Sequence, residues 1–340
     1  MELHIKNILN DMEKDGYDGY LLANFSNIQY LSNYKPTSFA FAVIKENPVI
    51  YTSKMDLEIA NRDSTIEIKE FESFSSMIDD LRKSIKKLAI EPSLEYGTYE
   101  KFRDDFDISA VDFVNKQRAI KSPKEIFKIE EATEIAQQAF RQIKIIEKHE
   151  YGAQENMVAF ELDKYMRENG ASEPSFETIL TSGANSSLPH AVPTPDKITN
   201  PVLIDWGAKY NGYCSDNTRT LVYTEKQHEI FDIVAEAHNK TIHKIKPGME
   251  CWEVDKIARD IISEYGYGDN FIHSTGHSLG LDIHESPSFS SKDKTIVEKG
   301  MVMTVEPGIY LEGEFGVRLE DTVAIDNKAR ILGKLPLVIE

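Results

Sequence analysis

The alternation of apolar and polar positions opens with a stripe at Ile5, Ile8, Leu9 and Met12, which predicts a helix, followed by a strand at Gly19 to Ala23. Phe39 to Ile44 and Val49 to Thr52 read as a hairpin about the turn Lys45-Glu46-Asn47-Pro48. Helical patterns at Met55 to Arg62 and Phe74 to Lys87 are separated by a strand at Thr65 to Phe71, and a last strand falls near Ile108 to Phe113. Residues 1–117 therefore predict a small α/β domain. It carries no catalytic constellation, which assigns it to substrate access or to contacts between copies. At Arg118 to Glu125 the pattern restarts. Ser122 is a good N-cap, Pro123 suits the first helical position, and Glu125 completes a capping box. The spacing Ile126, Ile129, Ala132, Ile135, Ala139, Ile143 then carries a long helix to Glu147.

The second domain, residues 118–340, contains an internal echo. Helices over Pro123 to Glu147 and Glu155 to Asn169 lead to a strand at Glu177 to Thr181 and a hairpin over Val202 to Thr220. The order then repeats, with helices over Glu225 to Ile245 and Trp252 to Tyr265, a strand-like segment around three histidines, and a hairpin over Met301 to Ile325. Residue identity hardly repeats, but the elements do. This predicts an α+β domain of two halves related by a pseudo-twofold, meeting across a central sheet where a site would naturally form.

Both hairpins carry acids. Asn211-Gly212 signals a two-residue type I′ turn, so Tyr210 pairs with Tyr213 and Asp205 falls opposite Thr218. Asp216 lies two positions from Thr218, which sets Asp205 and Asp216 on one face as diagonal neighbours, roughly 7 to 8 Å apart at the backbone. Two like charges on a half-buried strand pair need a counter-ion, the alternative being an exposed face with two solvated carboxylates. In the second hairpin, centring on Gly313 sets Glu306 opposite Glu320, with Pro307 able to shift the register by one. Four acids from two hairpins would form a hard-oxygen cluster that needs roughly two divalent cations.

A net charge of −18 argues against a nucleic-acid surface. No apolar run approaches membrane-spanning length, and the charged start lacks the layout of a signal peptide, so a cytoplasmic location is expected. Cys214 and Cys251 have no metal-type spacing and suit a reducing compartment. Parity puts Cys214 on the face of the two Asp residues, although a small buried residue is the plainer reading.

The segment FIHSTGHSLGLDIHESP gathers His273, His277 and His284, three of the nine histidines. His273 and His277 are spaced like the ligands of a zinc helix, but the general-base Glu is missing and Gly276 and Gly280 disfavour a helix. A site made with the acids explains the cluster better than three separate structural imidazoles.

These motifs resemble the prolidase, aminopeptidase P and methionine aminopeptidase family over nearly the whole chain. The resemblance implies a pita-bread fold in the second domain and two metal ions bound by Asp205 (in LID-x-G), Asp216 (D-x-TRT), His277 (GHSLGLDIH), Glu306 (TVEPGIY) and Glu320 (GVRLED). The extra N-terminal domain, with a helix at NIQYLSNY, is similar to that of prolidases and aminopeptidases P. The implied chemistry is hydrolysis by a water activated between two divalent ions, with Glu306 as ligand and proton shuttle. His284, with His273, would stabilise the oxyanion. His190, in SLPHAVPTP, matches a histidine that contacts substrate. Arg318, two residues before Glu320, lines the same site and is expected to orient that carboxylate. The ligand set suits Mn, Co, Fe or Zn.

The family implies Xaa-Pro substrates, either a dipeptide or a short peptide, because proline lacks the amide hydrogen that general peptidases use. Many prolidases carry an Arg four positions after the histidine matched by His284, where this chain has Ser288. Xaa-Pro dipeptidase is the favoured reading and aminopeptidase P the alternative. A metal-free binding module on the same fold is a third possibility, which the intact five-ligand set disfavours. A homodimer is expected by resemblance alone.

Overall fold

The computed structural model describes residues 2–339, which divide into two compact units, one ending at Arg118 and the other beginning at Ala119. The first unit runs α1 (Glu2–Asp15), β1 (Gly19–Leu22), α2 (Phe25–Ser32), β2 (Ala40–Ile44), β3 (Val49–Thr52), α3 (Leu57–Asp63) and β4 (Glu67–Glu70). It continues with α4 (Phe74–Leu81), β5 (Lys87–Ile90), α5 (Tyr96–Phe102) and β6 (Asp107–Ala110), and α6 (Asn115–Ala119) lies at the boundary. The six strands form one sheet in the order β4-β3-β2-β1-β5-β6. Pairings of β2 are antiparallel and the outer ones parallel. The helix expected over Phe74 to Lys87 stops at Leu81, and the short strand β5 follows. That strand is interior and mostly buried, so it presents a brief apolar run, Leu88-Ala89-Ile90, with no alternation to mark it.

The second unit begins with α7 (Pro123–Ile143), α8 (Ile145–Glu150) and α9 (Glu155–Glu168). The capping box forms as expected: Ser122 accepts from the Glu125 amide, and the Glu125 carboxylate accepts from Ser122. The helix ends four residues before Glu147, because Lys144 adopts a left-handed conformation, φ 49°, and starts α8. Strands β7 (Glu173–Pro174), β8 (Ile179–Ser182), β9 (Val202–Trp206), β10 (Ala208–Tyr210), β11 (Tyr213–Cys214) and β12 (Asn217–Leu221) complete the first half. The second half has α10 (Glu225–Lys244), α11 (Cys251–Glu264), β13 (Gly276–Ser278) and β14 (Glu285–Phe289). It ends with β15 (Val302–Val305), β16 (Gly308–Leu311), β17 (Phe315–Arg318), β18 (Glu320–Ile325) and β19 (Ala329–Ile331).

An eight-stranded sheet, ordered β14-β13-β15-β18-β12-β9-β8 with β19 also on β18, forms the centre of this unit. The order is nearly the same read outward from β12/β18 in either direction, which is the pseudo-twofold in topological form. Helix α7 packs on α9, and α10 packs on α11 in the matching positions. Buried apolar residues of α7 and α9 close over β8 and β9, where Trp206 stacks on Phe140 at 4.5 Å and donates to the Ala136 carbonyl.

Each hairpin runs through two sheets. In the first, Tyr210 pairs with Tyr213 and Asp205 with Thr218, the register the turn predicts. The ladder nevertheless breaks after Trp206, and β10 and β11 join β7 in a separate three-stranded sheet. Gly207 makes this bend possible: a Cβ there would lie 1.9 Å from the Ser215 carbonyl oxygen. The second hairpin breaks at Glu306-Pro307 and Leu319, leaving β16 and β17 as a two-stranded ribbon. The count does not slip across Pro307, since Val305 faces Asp321 on one side and Gly308 faces Arg318 on the other.

Candidate metal centre

The central strand pair creates the site. Strand β12 lies between β9 and β18, so Thr218 has Asp205 as its partner on one side and Glu320 on the other. Asp216 sits in the break just before β12, and Glu306 in the break just after β15. Strand β13 adds His277 by pairing with β15. One ligand atom each of Asp216, His277 and Glu320 lies within 4.8 Å of the other two. His277 Nε2 is 3.5 Å from Asp216 Oδ2 and 3.5 Å from Glu306 Oε1, which draws the fourth residue in. Asp205 lines the same cavity and is held by Arg318, 2.6 Å away. The geometry thus gathers all five expected ligands.

Their protonation chemistry is that of a cation site. Burial, then the charges of Glu320, Asp205 and Glu306, pushes the Asp216 carboxyl well above its usual range. Burial does the same to Glu320, with Glu306 and Asp205 adding to it, and raises Glu306 as well. Asp205 Oδ1, Asp216 Oδ1 and Glu320 Oε1 are buried and receive no hydrogen bond from the protein. Uncompensated buried carboxylate oxygens are costly, and divalent cations satisfy them. His277 Nδ1 faces the Ser278 carbonyl at 3.1 Å and so carries the ring proton, leaving the Nε2 lone pair turned toward the acids. Burial lowers its pKa, which keeps the ring neutral and ligand-ready. The residues present fit a divalent metal centre.

The cavity over these ligands has a volume of about 530 Å³. His190, His273 and His284 all line it, as does Arg318. The His284 ring packs edge-on against His277, 4.5 Å between centroids. Loss of solvent and the neighbouring His277 lower its pKa, so it is a neutral N–H donor near pH 7.

Two expectations are corrected by the contacts. Arg318 does not bond to Glu320 directly, but only through the Thr218 hydroxyl. The chain leaves β17 at Arg318 and enters β18 at Glu320, so the two are not alternate residues of one strand, and Arg318 reaches Asp205 instead. His273 does not offer a proton to the cavity. Its Nδ1 faces the Ser274 carbonyl and its Nε2 accepts from the Tyr310 hydroxyl, which itself accepts from Arg318 at 2.7 Å. Its Nδ1 lies 3.9 Å from Glu306 Oε2, beyond hydrogen-bond reach. Cys214 is the small buried residue of the plainer reading: it follows β11 into the three-stranded sheet against the Leu281 carbonyl, where burial raises its thiol to about 11.

Two supporting hydroxyls stand inside the quoted motifs, Thr218 in D-x-TRT and Thr304 in TVEPGIY, without a role expected of them. Thr218 donates to Glu320 Oε2 at 2.6 Å and accepts from Arg318 Nε. Thr304 donates to Glu306 Oε1 and accepts from the His277 amide. The strand register, which set Thr218 opposite Asp205, was the available signal for the first. Ser288, the position where an Arg was looked for, bonds to Asp293 and Ser290 and is not among the residues lining the cavity.

The chain matches the metallopeptidase family M24 over residues 128–327 and the creatinase/prolidase N-terminal domain over residues 4–122. It is 41% identical over 335 residues to an Xaa-Pro dipeptidase of Pyrococcus horikoshii, covering 96% of this chain and 95% of that protein. A solved structure of the prolidase from Pyrococcus horikoshii superposes with a TM-score of 0.94 at 40% identity, covering 98% of both chains. An X-Pro aminopeptidase from Thermotoga maritima superposes at 0.92 with 30% identity, again over 98% of each chain.

Proposed function

The chain belongs to metallopeptidase family M24, and from that premise we propose that it is an Xaa-Pro dipeptidase using two divalent cations held by Asp205, Asp216, His277, Glu306 and Glu320. The observation that carries this reading is the convergence of those five side chains in one cavity, in a chain similar over its full length to an Xaa-Pro dipeptidase. Orphaned oxygens on Asp205, Asp216 and Glu320 support the cations, and the set of four carboxylates and one imidazole suits Mn, Co, Zn or Fe. Bound cations would polarise the scissile carbonyl and bring the pKa of a water from about 16 towards neutrality.

The protein's own groups then have defined tasks. Glu306, its pKa raised by burial and its carboxylate steadied by Thr304, receives the proton of the attacking water and passes it to the leaving imino nitrogen of proline. His284, neutral and facing the cavity, donates a hydrogen bond to the developing oxyanion. His190 meets the substrate from the proline-rich loop at the cavity wall. Arg318 and Tyr310 hold Asp205 and His273 in register.

Aminopeptidase P is the second reading, favoured by Ser288 and by the Thermotoga maritima neighbour. Hydrolysis of an Xaa-Pro dipeptide is compared with that of an Xaa-Pro-Yaa tripeptide by protein reloaded with Mn, Co or Zn. Dipeptide cleavage alone is expected; preference for the tripeptide would replace dipeptidase by aminopeptidase. No helix of the described residues is long and apolar enough to cross a membrane. With a net charge of −18, the reading includes a cytoplasmic protein that binds neither membrane nor nucleic acid and assembles as a homodimer, the last tested by sedimentation.

A further inference from the structure

A buried ion pair stands beside the centre without lining it. Lys121, just before the cap of α7, is anchored by its amide to the Gly300 carbonyl, and its side chain is 1% exposed. Its Nζ donates to Ser278 Oγ at 2.8 Å and to Glu285 Oε2 at 3.2 Å, and Glu285 is itself 6% exposed. Ser278 and Glu285 are the two ends of the loop between β13 and β14, and they pair with each other across a register slip at His277/Ser278. The lysine therefore ties both ends of one loop. Glu285 also reaches into it, accepting the Asp282 amide on Oε1. Gly280 leaves room for that carboxylate, since a Cβ there would lie 2.6 Å from Glu285 Oε1.

The loop carries Ile283 and His284 to the cavity, while His277 leads into it. His277 has an anchor outside the loop, its amide donating to Thr304, besides the bond of its Nδ1 to the Ser278 carbonyl. His284 rests edge-on against the His277 ring and is followed directly by Glu285, a loop end that Lys121 ties. Burying a charge pair rarely stabilises more than apolar residues of the same shape would, so this pair is poorly explained as a stability device. A geometric task explains it better, because a small misplacement of a group acting on the transition state is costly.

We propose that Lys121 and Glu285 form a positioning clamp, which holds the Ser278 to Glu285 loop so that His284 faces the scissile carbonyl. The clamp acts through His284 and leaves metal binding to the Thr304 anchor of His277. The proposal rests on the peptidase reading for the task of His284, and the test separates the two.

The informative variant is the pair Lys121→Met with Glu285→Gln, which removes both charges of the buried pair together, its folding checked by its melting curve. Its kcat on an Xaa-Pro dipeptide is expected to fall about 10- to 100-fold, with KM and Mn²⁺ affinity by calorimetry within about threefold of the unaltered protein. Adding the pair to His284→Ala is expected to cost nothing further. Multiplicative losses, or a collapse of Mn²⁺ affinity, would overturn the clamp. Histidine-labelled, Zn-loaded protein supplies a reading independent of turnover. The His284 ring resonance is expected to shift in the pair variant while that of His228, on α10, stays; an unmoved His284 would overturn the proposal. Should the unaltered protein cleave nothing, the peptidase reading falls and the resonance still decides the clamp.

Discussion

The two hairpins of the second unit perform the same operation with different residues. Each leaves the central sheet part-way along and finishes in a smaller one, and each sets one acid in or at the end of a central strand and one in the break. Asp205 and Glu320 are the strand acids; Asp216 and Glu306 are the break acids. The breaks are built differently, by a missing Cβ at Gly207 in one and a missing amide hydrogen at Pro307 in the other. Their charges are also treated differently. Asp205 is paired with the buried Arg318, whereas Asp216 and Glu320 have burial and like charges around them and shifted protonation as the result. The comparison teaches where the protein supplies its own cation and where it relies on one from solution.

The largest expected effect breaks the comparison at its strand acids. Glu320→Gln is expected to abolish tight metal binding and hydrolysis, yet to raise the melting temperature of metal-free protein, because it removes a buried carboxylate without a cation. Asp205→Asn is expected to abolish hydrolysis too but to destabilise metal-free protein by about 1–3 kcal/mol, since it strands the Arg318 guanidinium. Calorimetric melts of both, with and without metal, would show opposite signs in the metal-free state; equal signs would erase the distinction.

Acid pH sharpens the same point. The carboxyls of Asp216, Glu306 and Glu320 are raised, so protons compete with metal below their folded values, and affinity should weaken as pH falls. Titration calorimetry in buffers of different ionisation enthalpy is expected to register proton release on binding. Smaller effects follow from the supports. Arg318→Met is expected to cost about 10- to 100-fold in hydrolysis, and Thr218→Val, which leaves Glu320 Oε2 without its donor, about 10-fold in metal affinity. The smallest concern the breaks alone. Gly207→Ala should destabilise by about 1–3 kcal/mol through its clash with Ser215, whereas Pro307→Ala should change denaturant stability by under about 1 kcal/mol.

Much of this was legible along the chain because hairpin registers are local. Asn211-Gly212 and Gly313 fix which residues face each other, and counting outward from either turn meets the acids without reference to the rest of the fold. The juxtaposition of Thr218 with Glu320 depends on β12 pairing β18, a contact between residues 102 positions apart that no local pattern encodes. The partner of Arg318 is hidden for a related reason: alternation within a strand assumes one continuous strand, and the break at Leu319 ends it, turning Arg318 to Asp205. Strand β5 and the early end of α4 escaped because an apolar run that short has no period to read. The Lys121 clamp is longer-range still, joining the cap of α7 to a loop more than a hundred residues on.

The most direct test of the two-hairpin centre is a titration of metal-stripped protein with Mn²⁺, following bound metal and hydrolysis of an Xaa-Pro dipeptide in the same sample. Saturable binding of two equivalents, with hydrolysis appearing as the sites fill and both lost in Asp216→Ala/Glu320→Ala, is the predicted result. Absence of a saturable site, or full hydrolysis by that double variant, would contradict it.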